Sequence, residues 1–120
     1  MKEVIERLVK DSPIYLSILV DRKEGLPVLS SQEGEVDIEK VSAYFASAVD
    51  EIIKATQCCE TGDTVEEVLV TTSNNYVILN PIGERFVLVS ILERGENLGI
   101  ASLMSKRCAS KLLGRLEERW

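Results

Sequence analysis

The sequence predicts an α/β sandwich with a five-stranded antiparallel sheet and the element order α-β-β-α-β-β-β-α. Short apolar runs separated by turn residues recur on both sides of one long segment, 37–59, whose apolar residues have helical spacing. Both ends of the chain also have helical spacing. Hairpin connections favour the strand order 2-1-5-4-3, with helices one and three on one face of the sheet and helix two on the other.

The first part of the chain is predicted to be a helix followed by a β-hairpin, at residues 1–11, 14–20 and 26–31. Pro13 ends the helix, because the residue before a proline is pushed out of the helical region. Ile14 begins an alternating strand whose apolar residues are expected on one side. Gly25 closes a turn that needs a left-handed residue. Pro27 lacks an amide hydrogen, which predicts an edge strand.

The long second helix has an unusually wide apolar face. Asp37 is its expected N-cap. The central stripe consists of Ile38, Val41, Phe45, Val49 and Ile52. With its flanking residues, the apolar arc spans about 200°, against about 100° for a helix on one core. Such a helix is either deeply buried in a monomer or covered by a second chain, and the length of this chain favours the second chain.

The second half is predicted to be three hairpin-linked strands and a final helix, at 65–72, 76–80, 86–92 and from about 97. The run 86–92 is almost continuously apolar, which predicts a central strand covered on both faces. The strand 65–72 is expected at an edge open to another chain. The last helix is expected to bury Ile100, Met104, Cys108, Leu112, Leu116 and Trp120.

Composition restricts the possible functions. The 120 residues suggest a single domain, 1–120. A net charge of −6 disfavours nucleic acid, whose phosphates need a basic surface, and no apolar run is long enough for membrane insertion. The absence of histidine excludes Ser-His-Asp and Cys-His catalysis and His-bearing zinc sites. Cys58, Cys59 and Cys108 are expected to be free cytoplasmic thiols without metal.

No phosphate-binding glycine loop, neither GxxxxGK[ST] nor GxGxxG, is present in the sequence. The chain is therefore not expected to bind a nucleoside triphosphate by itself. Neither a catalytic residue nor a cofactor-binding residue is predicted. The adjacent Cys58 and Cys59 fit packing at a helix end better than a redox role, since vicinal disulfides are strained.

Several short motifs occur in a characteristic order: Asp21, Gly25-Leu26-Pro27-Val28, Ser30-Ser31, Val77-Ile78-Leu79, Pro81-Ile82-Gly83 and Asn97-Leu98-Gly99. Together they resemble the Roadblock family, the dynein light-chain relatives that include prokaryotic MglB-type proteins. The resemblance extends from about Val4 to Leu116. It implies a homodimer in which helix two and strand three meet their copies. It also implies binding to small Ras-like GTPases, as GTPase-activating partners or as scaffolds and exchange-factor subunits, and family activators need not donate an arginine finger.

The chain is accordingly predicted to be a non-enzymatic, cytoplasmic, homodimeric regulator of a small Ras-like GTPase, of the GTPase-activating type. The predicted dimer interface contains Tyr44, Phe45, Ala48, Ile52, Val68 and Val70. The predicted partner-binding residues are Lys40, Ser47, Asp50 and Lys54. Two alternatives stay open: a structural adaptor in a signalling or motor-associated complex with no effect on hydrolysis, and a small-molecule sensor.

Overall fold

The computed structural model describes residues 1–32, 36–59 and 62–119. Three helices and five strands follow one another in the predicted order. They are α1 Lys2–Asp11, β1 Leu16–Asp21, β2 Leu26–Ser30, α2 Ile38–Gln57, β3 Val68–Thr71, β4 Asn75–Ile82, β5 Phe86–Glu93 and α3 Leu98–Arg119.

The strands form one antiparallel sheet in the order β2-β1-β5-β4-β3, so the predicted fold class and topology are confirmed. The central β5 pairs along its length with β1 on one side and β4 on the other, for example Val89 with Ile18 and with Leu79. It is buried at all but two of its positions, as its apolar sequence predicted. The edge strands are β2, which carries Pro27, and β3.

Two hydrophobic clusters pack on opposite faces of the sheet, because alternate side chains of each strand point to opposite sides. One face packs against α1 and α3, and its cluster includes Ile5, Leu19, Leu88, Leu92 and Leu112. The other face packs against α2, and its cluster includes Ile18, Val20, Val49, Leu79 and Val89. The predicted placement of the three helices is thus confirmed.

Local signals in the sequence account for the ends of the first hairpin and of α2. Gly25 has a φ of +68°, the left-handed conformation that the turn was expected to need. Asp37 caps α2 by accepting a hydrogen bond from the Lys40 backbone N–H at 3.0 Å. No helix among the described ranges is both long and apolar enough to cross a membrane.

Several predicted strand limits were wrong. β1 begins at Leu16 rather than Ile14, and Ile14 packs with the α1 and α3 cluster instead of with Leu16 and Ile18. β3 begins only at Val68, whereas β4 continues through Pro81 to Ile82, beyond the predicted turn. At the start of β1 the apolar alternation continues outside the ladder, whereas Pro81 suggested a turn but still pairs with Val87, so the sequence pattern alone does not locate these ends.

The buried stripe of α3 also differs from the prediction. Ile100 is 47 % exposed, whereas Ala101 and Ser105 are fully buried. Small side chains let the start of α3 lie close to the sheet, so its inner face is lined by residues that an apolar pattern overlooks. Trp120, residues 33–35 of the predicted loop and Thr61 after the second helix lie outside the described residues.

Candidate functional site

The candidate site is the outer surface of α2. This helix packs mainly against β1 and β2, near one lateral edge of the sheet. Two helices cover the opposite face. Five strands about 4.8 Å apart span about 19 Å, and a helix with its side chains is about 10 Å wide. A single helix therefore covers only about half of its face.

One flank of α2 exposes apolar side chains to solvent. Tyr44 is 72 % exposed, Ile52 is 36 % exposed, and Ala48 between them is also exposed. These residues follow one another at intervals of four, so they form a continuous stripe. We call this stripe the α2 apolar flank. Phe45 differs from the other predicted interface residues of α2, since it is half-buried against the sheet.

The edge strand β3 completes the predicted interface. Val68 and Val70 project to the same face of the sheet as α2 and are only half-buried. β3 pairs with β4 on one side, and no other described strand pairs with it. An edge with free backbone groups beside half-buried valines can accept a further strand.

The predicted partner-binding residues do not all share one environment. Lys40, Ser47 and Lys54 are exposed along the outer side of α2, at intervals of seven residues. Lys54 forms an exposed ion pair with Glu51 at 3.5 Å. Asp50 instead accepts a hydrogen bond from Arg22 at 3.1 Å, with its side chain 40 % exposed. Its carboxylate is thus engaged within the chain, and its contact with a partner stays a prediction.

Arg22 is an anchor of α2 that the sequence did not reveal. Its side chain is 7 % exposed, and its guanidinium bonds to Asp50 of α2 and donates to the carbonyl of Gly83 in the β4–β5 turn at 3.0 Å. Its backbone N–H also donates to the carbonyl of Arg85 at 2.7 Å. A residue after β1 thereby fixes α2 to a turn at one end of the sheet.

Asp21 and Arg85 form a second ion pair beside this anchor. Arg85 contacts Asp21 Oδ2 through two nitrogens, at 3.0 and 3.2 Å. Burial of Asp21 favours its neutral form, but the Arg85 hydrogen bonds and the backbone N–H groups of Glu24 and Lys23 outweigh this and lower the pKa of the carboxyl. Asp21 therefore links the first hairpin turn, through the Lys23 and Glu24 N–H groups, to Arg85 in the β4–β5 turn.

The cysteines occupy two contrasting environments. Cys58 and Cys59 are exposed just beyond α2, and Cys108 is buried in α3. Burial raises the pKa of Cys108 to about 11, with a smaller opposing effect from Lys111. Within the described ranges, no group of three or more carboxylate or thiol side chains is arranged to hold a metal ion.

We expect the thiols of Cys58 and Cys59 to react in the native protein and the buried thiol of Cys108 to stay unmodified. Because the thiolate is the nucleophile, a pKa near 11 leaves only ~0.1 % of Cys108 reactive at pH 8. Titration with a chromogenic disulfide should therefore modify Cys58 and Cys59 rapidly and Cys108 only after denaturation. Cys108→Ala should leave the native count at two. Rapid modification of three thiols in the native protein would contradict this arrangement.

Comparisons with known proteins agree with this architecture. Residues 1–92 match the family described as Roadblock/LC7 domain. MglB from Myxococcus xanthus is 22 % identical, with a TM-score of 0.90 over 98 % of this chain and 94 % of that chain. The gliding protein MglB from Thermus thermophilus is 18 % identical, with a TM-score of 0.85 over 97 % and 87 % of the two chains.

A Roadblock/LC7 domain from Streptomyces avermitilis is 14 % identical, with a TM-score of 0.88 and 98 % of both chains covered. No curated protein matches the sequence. At these identities the likeness to solved structures establishes a shared fold.

Proposed function

Because the chain belongs to the Roadblock/LC7 family, we propose that residues 1–120 act as one domain, a cytoplasmic homodimer that regulates a small Ras-like GTPase. The observation that carries this proposal is the α2 apolar flank next to a half-covered sheet. The protein would have no catalytic residue of its own. It would act by binding the two switch states of the GTPase with different affinities.

The dimer is proposed to form through the α2 apolar flank and β3. A second copy of α2 would occupy the part of the sheet face that one helix leaves open, and β3 would pair with its own copy. Tyr44, Ala48 and Ile52 would then leave water, which favours association at about 25 cal/mol per Å² of apolar surface. A two-fold axis satisfies both contacts because each involves the same surface on both chains.

The partner is proposed to bind the outer side of α2. In the dimer, Lys40, Ser47 and Lys54 of both chains would remain accessible, because they lie outside the α2 apolar flank. A platform shared by two chains would let one GTPase contact both copies. Long exposed lysines suit this role, since charges at the rim of an interface steer association and set its salt dependence.

We expect the double change Lys40→Glu and Lys54→Glu to weaken GTPase binding at least tenfold, about 1.4 kcal/mol. The reversed charges would repel the surface that the lysines attract, while both exposed side chains leave the core unchanged. Calorimetry with a purified small Ras-like GTPase, loaded with GDP or a GTP analogue, would measure the effect. Sedimentation of the variant should still show a dimer.

The same GTPase preparation distinguishes regulation from scaffolding. If the wild-type chain accelerates GTP hydrolysis and the double variant does not, the regulator proposal is supported. Binding without any change in hydrolysis would favour the adaptor alternative. Loss of binding only after changes in α1 or α3 would show that the outer side of α2 is not the binding surface.

A further inference from the structure

A groove runs between α1 and α3 on the face of the sheet opposite α2. It encloses about 560 Å³. Its apolar lining comes from both helices, with Val4 and Leu8 on α1 and Met104 and Cys108 on α3. Val4 and Met104 are only half-buried, so part of this apolar surface is accessible. α1 has 10 residues, which makes the groove about 15 Å long.

The rim of the groove is basic although the chain is acidic. Two acidic side chains, Glu3 and Asp11, also line it, and its four cations are Arg7, Arg107, Lys111 and Arg115. The rim therefore carries a formal charge of 4 − 2 = +2, in a chain whose net charge is −6.

Three of these four cations have no ion-pair partner among the described residues. Arg115 contacts Glu3 at 3.7 Å, but Arg7, Arg107 and Lys111 form no ion pair with any residue that the structure describes. Arg107, Lys111 and Arg115 also follow one another at intervals of four on α3. Like charges at this spacing repel one another on the helix surface. An anionic occupant would relieve that repulsion.

We propose that the groove binds an amphipathic helix that carries an acidic flank. Apolar residues at helical spacing would pack on Val4, Leu8 and Met104, and carboxylates beside them would pair with Arg107 and Lys111. A helix laid into a groove between two helices is an established mode of peptide recognition. The concave shape favours such a segment over a flat anionic membrane.

This site is independent of the proposed GTPase-binding surface. α1 and α3 lie across the sheet from α2, so both surfaces of one chain can be occupied together. A homodimer formed through α2 and β3 would present two such grooves.

A designed peptide of about 14 residues, four helical turns, can test the groove. It would carry leucines at positions i, i+3 and i+7 and glutamates beside them, with a fluorescent label. A matched peptide would have lysines in place of the glutamates. Fluorescence anisotropy with the full chain should detect saturable binding of the acidic peptide and at least tenfold weaker binding of the basic one. The affinity should fall with added salt, because the contacting charges are exposed.

Charge-reversal variants identify the surface to which the peptide binds. Arg107→Glu with Lys111→Glu should weaken binding of the acidic peptide at least tenfold and strengthen binding of the basic peptide. Lys40→Glu with Lys54→Glu should change neither affinity. Amide shifts in NMR spectra should cluster on α1 and α3. Equal binding of the two peptides, binding unaffected by the α3 reversal, or binding of phosphatidylglycerol vesicles in place of the peptide would overturn the proposal. Circular dichroism would verify that each variant is folded.

Discussion

Replacing Ala48 with Glu is expected to convert the proposed dimer into monomers. Ala48 lies in the middle of the α2 apolar flank, between Tyr44 and Ile52, and all three are exposed in the single chain. In the dimer the new carboxylates would be buried without a partner. Removing a charge from water without compensation costs several kcal/mol. A loss of about 3 kcal/mol would raise the dimer dissociation constant more than a hundredfold.

Sedimentation velocity over a range of micromolar concentrations would measure this shift. Ser110→Glu is the matched control, because it adds the same charge to an exposed position of α3 on the other face of the sheet. It should remain a dimer. An unchanged dimer for Ala48→Glu would exclude this interface, and a monomeric wild type would remove the homodimer from the proposed function.

The architecture was predictable because its signals are local. Gly25 and Pro27 mark the first hairpin and its edge strand, and Asp37 marks the start of α2. The continuous apolar run of β5 indicates a strand buried on both faces. Each signal depends on a few neighbouring residues, and the order of hairpins then leaves few possible sheet topologies.

The contacts of the charged residues were not predictable in the same way. Asp50 looks like an exposed helical residue from its sequence, but it pairs with Arg22, 28 positions earlier. Likewise, the basic rim of the groove combines Arg7 of α1 with Arg107 and Lys111 of α3. No local pattern reports such pairs, because they arise only when distant elements pack together. Ile100 was misplaced for a similar reason, since the small Ala101 and Ser105 set the depth of α3 on the sheet.

The ion pair that anchors α2 provides the second large expected effect. Asp50→Ala should lower the free energy of unfolding by about 2 kcal/mol, because Arg22 would keep its charge in a buried site where, among the described residues, its guanidinium retains only the Gly83 carbonyl as an acceptor. The effect is smaller than for a fully buried pair, since Asp50 is 40 % exposed and water screens it. Urea unfolding at one fixed protein concentration would measure the loss, as association also contributes to stability.

A second substitution, at Arg22, tests whether Asp50→Ala destabilises the protein by leaving a buried charge unpaired or by removing a contact. Adding Arg22→Met to Asp50→Ala removes the unpaired guanidinium, so the double variant should be more stable than Asp50→Ala alone. Glu51→Ala is the matched control. It breaks the neighbouring ion pair with Lys54, whose side chains are 73 % and 70 % exposed, and exposed pairs contribute about 0.5 kcal/mol or less. If Asp50→Ala costs no more than Glu51→Ala, the Arg22 anchor does not hold α2 in solution. If the double variant is the least stable of all, packing by Arg22 matters more than its charge.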